Sequence, residues 1–140
     1  MAIPAHLQLE IVSADRALVH ELADEVEIPG ADGYFGVWPG HTPLLAVLGA
    51  GELWYRQGTE KHYLMIAFGF AEIQPDRVTI LAQIAERADE IDVARAEAAK
   101  KRAEERLTKP TLDMDFERAR IAMMKALIRL QVASRARTRA

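Results

Sequence analysis

The 140-residue sequence has no cysteine, only two serines (Ser13 and Ser134) and four histidines. The lack of cysteine excludes a disulfide framework and thiolate metal sites, and it fits a reducing compartment. A nucleophilic enzyme needs an activated Ser, Cys or Lys beside a base. His6, His20 and His62 fall in strand patterns and read as structural residues, so no catalytic group is expected. No His-x-x-x-His pair or comparable carboxylate cluster offers metal-ligand spacing. Gly30, Gly33, Gly36 and Gly40 are followed by neither Gly-Lys-Ser/Thr nor a helix, so they are not a phosphate loop. No apolar run approaches the roughly 18 residues of a membrane-spanning helix. The start, Met1-Ala2-Ile3-Pro4, has neither the basic and apolar regions of a signal peptide nor the arginines of an organellar transit peptide, and neither is expected.

What is present is a half-apolar chain with 28% charged residues, enough to build one small core and an appendage. The net charge of −3 is unevenly placed. Residues 1–86 carry 4 Lys and Arg against 12 Asp and Glu, whereas residues 87–140 carry 14 against 9. From Arg118 to Ala140 there are seven basic residues and no acid. Such asymmetry predicts two parts with different partners, divided at 86/87.

Residues 1–86 read as short strands. Leu7, Leu9 and Ile11 alternate with Gln8 and Glu10 over 6–12. Further segments are expected at 18–23, at 25–28 with a stop at Pro29-Gly30, and at 34–37. Leu44 to Leu48 is apolar throughout and reads as covered on both sides, with Gly49-Ala50-Gly51 turning the chain into 53–55. A hairpin turn at 57–60 leads to 63–68. A bulge at Gly69 precedes 71–73, and a turn at Pro75-Asp76 precedes 78–81. About ten short strands with frequent turns and no crossover helices predict an antiparallel β-sandwich.

Beyond Arg87 the pattern becomes helical. Residues 91–107 are rich in Ala, Glu, Lys and Arg, with Asp89 as the expected N-cap and Asp92 three residues on. Ala96, Ala99, Ala103 and Leu107 form a stripe of small residues. Pro110 is expected to end this helix and Asp113 to cap the next, with Asp115 and Glu117 in its first turn. Phe116, Ala119, Met123, Ala126, Leu130 and Ala133 recur at alternating three and four spacing, the seam of a helix pair. The fold class is therefore α+β: a sandwich followed by an antiparallel helical hairpin. Burying Ala contributes much less than the roughly 1.5–3 kcal/mol of Leu or Phe, so this hairpin should dock weakly and can open. Its helices would be about 26 and 34 Å long.

The stretch from Gly30 to Leu45, GADGYFGVWPGHTPLL, holds two motifs in one. Within it, Gly36 to Leu45 holds two prolines and two glycines in its first eight residues, which cannot continue a strand or helix and predict an ordered loop pinned by Trp38. In order, the string also resembles the loop-and-strand signature of the epsilon subunit of bacterial proton-translocating ATP synthases: Gly-x-x-Gly-x-x-Gly, then Ile or Val, x-Pro-Gly-His-x-Pro-Leu, then Leu or Val. A second stretch, Ile91-Asp92-Val93-Ala94-Arg95-Ala96, matches the family's Ile/Leu-Asp-x-x-Arg-Ala motif for ATP in the folded hairpin.

The resemblance spans nearly the whole chain, and its implications are expectations. It implies a non-catalytic rotor subunit of the central stalk, peripheral on the cytoplasmic face of the bacterial inner membrane, with one copy per complex. The sandwich would meet the gamma subunit and the membrane c-ring, with Asp32, Tyr34, Trp38 and His41 at the stalk and ring interface. An acid is common in the family at the Tyr34 position, so the contact is made differently here. No cofactor would be obligatory. ATP would be a regulatory ligand at Ile91, Asp92, Arg95, Ala96, Arg102, Arg118, Lys125 and Arg129, with Lys125 standing where tighter binders have Arg. The extended arm would inhibit hydrolysis by setting Arg118, Arg120, Lys125 and Arg129 against acidic segments of the catalytic alpha and beta subunits. Two other readings of the residues stay open: a nucleic-acid-associated adaptor with an Arg-rich tail, and a stand-alone ATP-sensing module.

Overall fold

The structure, a computed structural model, describes residues 2–109 and 111–137. The chain divides after Arg87 into two compact units.

The first unit has seven strands: β1 (Leu7–Ser13), β2 (Ala17–Ala23), β3 (Glu25–Gly30), β4 (Gly33–Val37), β5 (Leu44–Gln57), β6 (Glu60–Ile73) and β7 (Arg77–Arg87). They form one sheet in the order β2-β1-β7-β6-β5-β3-β4. The sheet bends over itself into a sandwich. At the closure, the Tyr55 hydroxyl and Gln57 Nε2 of β5 both donate to Glu21 Oε2 of β2, at 3.2 and 2.9 Å. The alternation read in β1 places Leu7, Leu9 and Ile11 in full burial. Val26, Ile28, Leu53, Leu64, Ile66, Val78 and Ile80 join them in a single core. Each such side chain contributes roughly 1.5–3 kcal/mol by leaving water.

Seven strands replace the expected ten because the glycines bend strands instead of ending them. Gly49-Ala50-Gly51 is no turn: β5 runs through it, and the β5–β6 ladder resumes at Ala50↔Ala67 after Leu48↔Gly69. Gly69 marks a bend and not the expected bulge: the register of β6 against both β5 and β7 is the same on either side of it, so no residue is inserted. Phe68 and Gly69 both have positive φ, 63° and 116°. A Cβ at Gly69 would overlap the Leu81 carbonyl of β7, so only glycine allows this bend. Nor does Pro29-Gly30 end β3. Pro29 pairs with Tyr34 of β4, while the β3–β5 ladder is irregular between Glu27 and Gly30, where a residue without an N–H is tolerated. One pairing, β1 with β7, is parallel. The intervening strands, not a helix, supply the long connection that a parallel pair needs.

The second unit is an antiparallel helical hairpin. A short 3-10 turn, Ala88–Glu90, precedes α1 (Val93–Thr108) and α2 (Phe116–Arg137). The caps are shifted from those expected. Asp92, not Asp89, caps α1, its Oδ1 accepting from Arg95 N–H at 3.1 Å. Asp115, not Asp113, caps α2, accepting from Arg118 N–H at 3.0 Å. In both helices the residue directly before the first turn has the geometry to reach the third amide. Pro110, the expected helix stop, lies outside the described residues; α1 closes with Lys109 N–H on the Glu105 carbonyl at 3.0 Å. Of the expected seam, Ala96, Ala103, Ala119, Ala126 and Ala133 are buried, with Val132 beside them, while Ala99, Leu107, Met123 and Leu130 are half-buried. Phe116 is outside it, 55% exposed, because the first turn of α2 precedes the paired stretch.

Candidate functional site

Each unit carries one candidate surface. In the first, Asp32 is exposed at the two-residue turn between β3 and β4. Tyr34, 56% exposed, reaches from β4 to β5, where its hydroxyl accepts from Glu52 N–H at 3.0 Å. Trp38 follows β4 and is also largely exposed. The Arg56 guanidinium stands 5.8 Å from its ring centroid, and Arg56 Nε is fixed by Glu25 at 3.0 Å. The loop after Trp38 is ordered as the glycine and proline pattern predicts: Gly40 N–H donates to the Pro75 carbonyl at 2.7 Å, with φ 87° at Gly40. His41 Nδ1 donates to the Thr42 carbonyl at 2.6 Å, which leaves Nε2 as the ring's remaining polar atom.

The largest departure from the sequence reading is next to this loop. Leu44 to Leu48 is not covered on both sides. Leu45 and Val47 are 70% and 57% exposed. Val47 pairs with Phe70, and Phe70 with Leu81, so three strands set an exposed apolar row side by side. Phe70 and Leu81 are each about half exposed. An apolar row of this kind on a charged unit marks a contact surface. No local signal announces it, because an apolar run reads the same whether its second face meets the core or a partner.

In the second unit, Arg118, Lys125 and Arg129 share one stripe of α2 and line a groove of about 440 Å³ with Ala99, Ile121 and Ala122. Spacings of seven and four residues return to the same helix face. Asp115 and Glu117 complete the lining at its acidic end. The other residues expected at a nucleotide site are placed differently. Ile91 and Ala96 are buried in the hairpin. Asp92, Arg95 and Arg102 are exposed and outside the groove lining, and Asp92 is occupied as the α1 cap. Arg120 turns to Glu117, with Nε 3.2 Å from Oε2. This bond holds the Glu117 carboxyl below its ordinary range and raises the Arg120 guanidinium. No group of three or more His, Cys, Asp or Glu among the described residues could hold a metal ion. Among the described residues, no helix is long and apolar enough to cross a membrane.

Residues 6–88 match the family model for the beta-sandwich domain of the ATP synthase Delta/Epsilon chain, and residues 89–134 match that for its long alpha-helix domain. The chain is similar to the ATP synthase epsilon chain of Solibacter usitatus, 44% identical over 133 residues, covering 95% of this chain and 99% of that one. It is 54% identical over 100 residues to the ATP synthase epsilon chain of Koribacter versatilis, covering 71% of this chain and 70% of that one. Among solved structures, a chain of the Euglena gracilis mitochondrial ATP synthase (OSCP/F1/c-ring) has the same fold, with TM-score 0.71 and 23% identity, covering 99% of this chain and 83% of that one.

Proposed function

The chain belongs to the ATP synthase Delta/Epsilon family, as a stalk subunit with no catalysis of its own, and from that premise we propose that it couples rotation to ATP synthesis and restrains ATP hydrolysis through its helical arm. The observation that carries this reading is the alanine seam. Two long helices held mainly by buried alanines lose little apolar contact when they part. The groove residues Arg118, Lys125 and Arg129 lie on the second helix, which opening would free for acidic segments of the catalytic subunits. Attraction of that kind is screened by salt.

The apolar row of Leu45, Val47, Phe70 and Leu81 suits the gamma subunit, whose contact would remove it from water. The Asp32 tip and the Trp38–His41 loop suit the ring and the stalk. In this reading the subunit would be peripheral, on the cytoplasmic face of the bacterial inner membrane, as the coupling element between proton flow and the catalytic head. ATP in the groove would hold the hairpin folded, its phosphates on Arg118, Lys125 and Arg129. Asp92 and Arg95 are at the start of α1, and the Asp92 carboxylate is engaged there as the cap on the Arg95 N–H.

The test is ATP hydrolysis by the catalytic head lacking this subunit, with add-back of the full chain or of residues 1–87. Inhibition by the full chain alone supports the arm as the regulator. Binding of both without inhibition removes the regulatory part and leaves a coupling subunit. If neither binds, the stalk assignment is overturned. The variant with Arg118, Arg120, Lys125 and Arg129 all changed to Ala should inhibit less, and unchanged inhibition would remove the electrostatic account.

A further inference from the structure

The β3–β4 tip is seated on β5 by glycine. A Cβ at Gly49 would lie 3.1 Å from the Gly30 carbonyl oxygen and 3.4 Å from Ala31 Cα. A Cβ at Gly51 would overlap the Tyr34 hydroxyl and approach Pro29 Cβ at 2.9 Å. Into the space so left, Tyr34 sends its hydroxyl to accept from Glu52 N–H at 3.0 Å. On the other side of the tip, Ala31 N–H donates to the Val47 carbonyl at 2.8 Å. Both bonds serve the stretch where the β3–β5 ladder is irregular, between Glu27 and Gly30. Glu52 is nearly buried, so its amide loses stability if left without a partner.

The consequence is mechanical. β4 is the last strand of the sheet and pairs only with β3. Tyr34 reaches past β3 to the next strand, tying an edge hairpin to the sheet at a second point. Asp32 stands exposed at the end of that hairpin. We infer that Tyr34 is a positioning residue: its hydroxyl in the Gly51 notch sets the direction in which Asp32 meets a cationic or amide-bearing loop of the membrane ring. The inference rests on the stalk reading above. It assigns the contact itself to Asp32 and the orientation of the tip to Tyr34.

The experiment is add-back of the full chain to the complex lacking this subunit, reading the apparent affinity for the parent, Tyr34→Phe, Asp32→Asn and the double variant. Tyr34→Phe should weaken binding about three- to tenfold, the worth of one hydrogen bond. Asp32→Asn should weaken it by a similar factor, and the double variant should be no weaker than Asp32→Asn alone, since a misdirected tip without its charge has nothing further to lose. Gly51→Ala, which leaves Tyr34 in place but fills its notch, should reproduce the Tyr34→Phe loss. A purely structural role would instead give losses that add in the double variant, and that result overturns the inference. So does parent-like binding by Tyr34→Phe while Asp32→Asn is weakened. If Asp32→Asn binds as the parent does, the ring contact at the tip is itself wrong.

Discussion

The Asp24 carboxylate and the Gly58 amide join the β2–β3 corner to the β5–β6 turn: Asp24 Oδ2 accepts from Gly58 N–H at 2.7 Å. His6 Nδ1 donates to the other oxygen at 2.8 Å. The Gly58 bond first, and the His6 bond second, hold the Asp24 carboxyl below its ordinary value of 3.8. A depressed native value favours the folded state while the carboxylate is charged. That contribution is present above 3.8 and is lost as pH falls through the native value. Asp24→Asn should therefore lower the urea midpoint near neutral pH, and the gap to the parent should close in strong acid. Midpoints measured across the acid range check this.

Tyr55 works in the opposite direction. Burial, and then the Glu21 charge that its hydroxyl faces, push it from 10.0 up to about 12. The neutral phenol is the form the fold accepts, so its contribution is complete below 10.0 and disappears as pH rises toward about 12. Following phenolate absorbance, a late ionisation step well above 10.0 should belong to Tyr55. In Tyr55→Phe the late step should vanish, with a loss of about 1 kcal/mol at neutral pH from the missing hydrogen bond.

Two glycines of positive φ should respond differently to alanine. At Gly69 the added Cβ meets the Leu81 carbonyl, whereas at Gly58, with φ 61°, nothing lies within 4 Å. Gly69→Ala should cost roughly 2–4 kcal/mol from strain and displacement of β7. Gly58→Ala should cost about 1 kcal/mol, the penalty of the left-handed conformation alone. Chemical unfolding of both variants decides, and equal losses would contradict the notion that close approach dominates at Gly69.

The seam between the helices can be overfilled. Ala126 is 1% exposed, so a leucine there has no room. Ala126→Leu should destabilise the folded hairpin by about 1–3 kcal/mol while leaving the sandwich unfolding transition in place. If opening frees the inhibitory surface, this variant should inhibit hydrolysis at lower concentration than the parent. Equal inhibition would show that seam stability does not limit opening.

In the groove, Lys125 presents a point charge where Arg would present a planar fork. Lys125→Arg should tighten ATP binding several-fold by calorimetry, and Arg129→Ala should weaken it by roughly 1.5–3 kcal/mol, the range for hydrogen bonds to a charged group. Insensitivity to both changes would move the nucleotide away from this face.

Much of this was legible beforehand. Local pattern placed β1, because Leu7, Leu9 and Ile11 need one buried face whatever covers it. The three-and-four recurrence gave the alanine seam, and the Gly40–Pro75 bond bears out an ordered loop. For the groove, only the family resemblance pointed to Arg118, Lys125 and Arg129, and the structure sets them along one lining. That Ile91 and Ala96 are buried and Asp92 is a cap depended on which side of α1 met α2.

Sequence by itself determined the two-part division of charge, the β-then-α order and the family. These rest on composition, period and short strings, which act within a few residues. Tertiary structure alone decided that Gly49 and Gly51 are seats for a hairpin and not a turn, that β1 pairs parallel to β7, and that Leu45, Val47, Phe70 and Leu81 face outward. Each of those depends on what lies across the sheet, tens of residues away along the chain, and an apolar side chain or a glycine carries no mark of which neighbour it will meet.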